Sequence, residues 1–146
     1  MSLVLTLRFQ GRADYNRTRA SELSTRPVLA VVIGGQSAEA YLDTGMPVTV
    51  CPPDFAAKLM GLDPADGLEE EARIRGVLVK GRIHNTSIEF IADEGKPMAI
   101  AGVVFVPNSA ADVGPDLTGF SFLGMYECLD KMIFGVDSLT QVFYFN

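Results

Sequence analysis

Histidine occurs once, as His84, and tryptophan does not occur at all. A single histidine excludes a multi-histidine zinc centre, and any serine–histidine triad would have to be built on that one residue. Cysteine occurs twice, as Cys51 and Cys128, too sparsely for a disulfide-stapled scaffold, so both are read as buried thiols. Basic residues are also scarce: 12 Lys and Arg stand against 18 Asp and Glu, giving a net charge of −6. An acidic chain of this kind is poorly suited to gripping phosphate backbones, and no nucleic-acid partner is expected. Long apolar runs are missing. Val28–Ile33 and residues 103–106 fall far short of the roughly 20 residues of a spanning helix. No basic stretch followed by an apolar one opens the chain, so no signal peptide is evident and a cytoplasmic location is expected.

The 146 residues suit one domain, and a hydrophobic share of 48% supports a packed core rather than disorder. Residues 1–22 read as an N-terminal arm, partly extended over residues 3–9 and polar from Gly11 to Glu22, and residues 23–146 as the domain. Val28–Ile33 is apolar and rich in β-branched residues. Gly34-Gly35 follows, a favoured two-residue hairpin turn, and Ala38, Ala40 and Leu42 then alternate with polar neighbours. A hairpin over residues 28–42 is therefore expected, running directly into Asp43-Thr44-Gly45. Further strands are expected at 48–50, 71–82, 83–92, 97–106, 120–123, 132–136 and 141–145. Short helices are expected over 55–60, opened by Pro52-Pro53, and over 125–131. The sum is an all-β domain with one or two short helices. A weak internal repeat pairs Ala40–Gly45 with Phe120–Gly124, each an apolar strand running into a glycine turn, with the acid only in the first copy.

An Asp-Thr-Gly tripeptide alone is common turn chemistry. Here it ends a strand in the string Arg26-Pro27-Val28 through Gly34-Gly35-Gln36 to Tyr41-Leu42-Asp43-Thr44-Gly45, with Thr49 four residues later. About 80 residues on, Phe122-Leu123-Gly124-Met125 leads towards Leu129. Together these resemble the two signatures of the retropepsin-like aspartic proteases, over roughly residues 26–146. Two positions depart from the family pattern. Met46-Pro47 stands where a small residue usually follows the glycine, and the stretch from Arg73 to Gly81 has separated glycines instead of a glycine-dense flap tip.

The resemblance implies a retropepsin-like closed β-barrel and an aspartic-type endopeptidase, with Asp43, Thr44 and Gly45 as catalytic residues and Arg75, Gly76 and Val77 in a substrate-covering flap over 71–83. With one acid loop per chain, it also implies a homodimer in which two copies of Asp43 share a proton, Thr44 braces the loops and Gly45 lets them approach. A protein or peptide substrate is expected, with no metal and no organic cofactor. Two rivals remain: a retropepsin-fold peptide-binding or assembly module without turnover, and an unrelated acidic β-barrel with a chance tripeptide. His84, on a strand face with Thr86, Ile88 and Phe90, reads as structural, as do Asp112, Asp116 and Asp137. Glu69-Glu70-Glu71 reads as a solvated flap base. The aromatic, β-prone stretch 141–145 is expected to pair with the partner subunit, with residues 3–9 alongside.

Overall fold

The computed structural model describes residues 9–16, 26–63, 65–109, 111 and 120–146. Among these residues ten strands run in the order β1 (Gly11–Asp14), β2 (Val28–Ile33), β3 (Gln36–Leu42), β4 (Leu68–Ile74), β5 (Val77–Phe90), β6 (Glu94–Gly95), β7 (Met98–Pro107), β8 (Ser121–Leu123), β9 (Phe134–Asp137) and β10 (Val142–Phe145). One α-helical turn, α1 (Pro53–Ala56), lies between β3 and β4. Among the described residues no helix is long and apolar enough to cross a membrane.

The β2–β3 hairpin forms as its sequence dictates. Gly34 and Gly35 take φ of +53° and +80°, a left-handed pair whose twist matches that of the flanking strands. The register runs from Val28 opposite Tyr41 to Ile33 opposite Gln36. On its other edge β2 pairs with β5, and β3 pairs in parallel with β8, giving the order β4-β5-β2-β3-β8 with β7 on the remaining edge of β5. The second sheet has the order β6-β1-β10-β9.

The main core lies between the two sheets. Leu29, Val31, Ile33, Ile88 and Phe90 face Phe143 and Phe145, and all are buried. The Phe90 ring stands 6.0 Å from both Phe143 and Phe145. Each such phenylalanine contributes about 1.5–3 kcal/mol through burial. A second cluster gathers Met46, Val48, Val50, Ala72, Ile74, Val79, Val103, Phe105 and Phe122. It fastens the stretch after Asp43 to the β4–β5 hairpin.

Several expectations need correction. Val142–Phe145 does not wait for a partner subunit: β10 is bonded on one edge to β1 and on the other to β9, all within the chain. The reason is that Gly11–Asp14, inside the segment expected as an arm, is itself a strand. Residues 3–8 lie outside the described residues. The strands expected at 71–82 and 83–92 are instead divided at Arg75-Gly76, and β5 runs straight through Gly81. A Cβ at Gly81 would lie 2.3 Å from the Val106 carbonyl oxygen, so that glycine serves close strand approach rather than a turn. The helix expected at 55–60 occupies Pro53–Ala56. That at 125–131 is a turn followed by the 3₁₀ segment Leu129–Lys131, because Glu127 takes a φ of +53°.

Candidate active site

Asp43 follows the last residue of β3. Its N–H donates to the carbonyl of Leu123, the last residue of β8, at 3.1 Å, so the parallel β3–β8 pairing carries through to the acid. The chain then turns within three residues, with the Met46 N–H donating to the Asp43 carbonyl at 3.1 Å. Returning, Val50 pairs antiparallel with Phe122 through two 2.9 Å hydrogen bonds. β8 is thus gripped between the outgoing and returning arms of the Asp43 loop.

Three further bonds lock this crossing. Met125 N–H donates to the Met46 carbonyl and Tyr126 N–H to the Pro47 carbonyl, both at 3.0 Å. Gly124 N–H donates to the Thr49 hydroxyl at 3.0 Å in the buried interior. A Cβ on Gly124 would stand 2.3 Å from the Val48 carbonyl carbon, so only glycine lets the two segments touch. The stretch Phe122-Leu123-Gly124-Met125, singled out from sequence, is therefore the support of the Asp43 loop.

The Asp43 carboxylate is oriented from two sides. Oδ1 accepts a 3.0 Å hydrogen bond from the N–H of Gly45. Oδ2 lies 3.3 Å from Nη1 of Arg26, and the carboxylate side chain is 17% exposed while that of the arginine is 43% exposed. Thr44 and Gly45 are exposed at the loop apex, open to an approaching molecule. Arg26 appears in the sequence string but was not assigned a role from it. Its pairing with an acid 17 positions away depends on the β2–β3 hairpin folding back, held by the Leu42 N–H bond to the Pro27 carbonyl at 2.9 Å.

Arg75 and Gly76 form the turn of the β4–β5 hairpin, with φ of +51° and +81°. Arg73 Nη1 donates to the Gly76 carbonyl at 3.1 Å across that turn. Val77 is exposed beside it, while Ala72, Ile74 and Val79 turn inward onto Met46 and Val48. The hairpin and the Asp43 loop therefore share one hydrophobic cluster.

Other singled-out residues lie elsewhere. His84 is buried beneath Gly67, with burial and then the Arg82 guanidinium holding its pKa below the ordinary histidine value against the pull of Asp63 and Asp66. Glu69 pairs with Arg82 at 3.2 Å along the hairpin base. Asp137 accepts from the N–H groups of Leu139 and Thr140 and so closes the β9–β10 turn. Cys51 and Cys128 are buried free thiols. Asp112 and Asp116 lie outside the described residues. Among the described residues no group of three or more His, Cys, Asp or Glu is placed to hold a metal ion.

No protein-family model matches the sequence, and no curated protein matches it. A crystal structure of a retropepsin-like aspartic protease from Rickettsia conorii is similar to this chain with a TM-score of 0.60 and 16% sequence identity, over 97% of this chain and 96% of that one. At that identity the likeness is one of fold, and this chain has the fold of a retropepsin-like aspartic protease.

Proposed function

We propose that this protein is an aspartic-type endopeptidase of retropepsin-like fold that acts as a homodimer, bringing two copies of Asp43 together. The observation that carries the reading is the placement of a single carboxylate, oriented by the Gly45 N–H, at the apex of an exposed loop braced by β8. One carboxylate cannot both take a proton from water and donate one to a carbonyl oxygen. Two at contact distance resist double ionisation and share one proton.

In the proposed reaction the ionised Asp43 takes a proton from a water molecule as its oxygen attacks the scissile carbonyl carbon. The protonated Asp43 of the twin donates its proton to the carbonyl oxygen, giving a neutral gem-diol. Return of a proton to the carbonyl-side carboxylate and delivery of the other to the amide nitrogen then break the C–N bond, leaving an acid and an amine. The exposed faces of Val77 and Arg75 on the hairpin tip would cover an extended substrate, and Thr44 would brace one loop against the other.

The second reading, a peptide-binding or assembly module without turnover, is favoured by the ion pair between Asp43 and Arg26, which gives the acid a structural partner. Cleavage of a diverse peptide library between about pH 3 and 7, the span of a split carboxylate pair, separates the two. Peptidase activity should be bell-shaped in pH, dependent on protein concentration, and lowered in Asp43→Asn by at least about 10²–10⁴-fold. Peptide binding without cleavage, unchanged in Asp43→Asn, would establish the module instead.

A further inference from the structure

The two oxygens of Asp43 differ in what holds them. Oδ1 is bound to the backbone of its own loop through Gly45 N–H, an arrangement any assembled form can keep. Oδ2 is the oxygen that this backbone bond leaves to other partners, and Arg26 lies on it at 3.3 Å. A guanidinium has donors only and does not give up its protons in the working range of a carboxylate pair. While it sits on Oδ2, it occupies the place where a second carboxylate would have to come to share a proton.

The tether of Arg26 decides what can move. Its neighbour Pro27 is anchored to Leu42 by the 2.9 Å backbone bond, one residue before Asp43. The arginine backbone therefore stays beside the acid, and only the side chain, nearly half exposed, can swing into solvent. An ion pair this open to water is weak, worth about 1.4- to 5-fold in an equilibrium constant. It is enough to bias the single chain and too little to hold against a well-fitting partner.

We infer that Arg26 is a side-chain latch: it covers the reacting oxygen of Asp43 in the single chain and is displaced when a second copy brings its own Asp43 to the site. The latch rests on the reading of Asp43 as a shared carboxylate and adds a restraint on assembly to it. Two latches open per dimer, so the dimer dissociation constant of the native chain carries a penalty of about 2- to 30-fold.

The test is a double-mutant cycle read by sedimentation at about pH 4–5, where the pair can share its proton. Arg26→Gln should lower the dimer dissociation constant by about 2- to 30-fold, and Arg26→Lys, which can still pair with the acid, by less. In an Asp43→Asn background the Arg26→Gln change should shift the constant by less than about twofold, because nothing remains to unlatch. Circular dichroism checks that each variant is folded. A dissociation constant unchanged or raised in Arg26→Gln would overturn the latch, as would an equal gain with and without Asp43. Failure of the native chain to cleave any peptide would overturn the peptidase reading, while the sedimentation cycle would still decide the latch.

Discussion

The hydroxyl of Thr49 accepts the backbone N–H of Gly124 at 3.0 Å, joining two buried residues 75 positions apart. Through this one side chain the loop that carries Asp43 is tied to the strand end that supports it.

Thr49→Val leaves the Gly124 N–H buried and unpaired, and should cost about 1–3 kcal/mol of stability, whereas Thr49→Ser should be nearly silent. Gly124→Ala should cost at least about 1–3 kcal/mol, since its Cβ would meet backbone atoms of Val48 and Thr49 that cannot rotate away. Denaturant titration of the three variants checks both expectations, and a stable Gly124→Ala would mean that the two segments can part without loss.

The β4–β5 hairpin should behave as a mobile cover. Gly76 has φ of +81°, with open space where a Cβ would project, so Gly76→Val strains the turn by about 1–2 kcal/mol without disturbing the core. Amide exchange over residues 72–79 should slow when a peptide inhibitor is bound, and Gly76→Val should weaken that inhibitor. Equal protection with and without inhibitor would count against a gating role.

His84 should make the fold acid-sensitive. Its pKa is lowered in the folded chain, first by burial and then by Arg82, with Asp63 and Asp66 opposing. Above about pH 6.5 the imidazole is neutral whether the chain is folded or not. As the pH falls below that value the unfolded chain takes the proton first, so stability declines. Denaturation midpoints measured from pH 7 to 5 should fall more steeply for the native chain than for His84→Gln, and parallel slopes would remove His84 as the source.

The two thiols should be inert in the folded protein. Burial pushes Cys51 up to about 12, partly offset by the Ser121 hydrogen bond, and Cys128 up to about 11, partly offset by that of Thr49. At pH 8 only about one thiol in 10³–10⁴ would be ionised, so alkylation by iodoacetamide should follow unfolding. Rapid labelling of the native chain would contradict this burial.

What the sequence determined by itself was local. The β2–β3 hairpin and the position of Asp43 at its end follow from apolar alternation and a Gly-Gly turn, signals that act over a few residues. The left-handed turn at Arg75-Gly76 was not legible in this way: it divides a strand expected to run through it from 71 to 82, and only the family resemblance put a flap there. The strand break expected between 82 and 83 does not occur, since Gly81 beside it admits a neighbouring strand, and such a glycine looks like one that opens a turn until Val106 is placed beside it. The tertiary structure alone decided the rest. The end strand expected to pair with a partner subunit is covered within the chain because Gly11–Asp14 returns to it, a pairing across more than 120 residues. Arg26 met Asp43, and Thr49 met Gly124, only because separate strands were brought side by side. Such contacts come from packing between distant segments, and the spacing of residues along a chain carries no direct record of them.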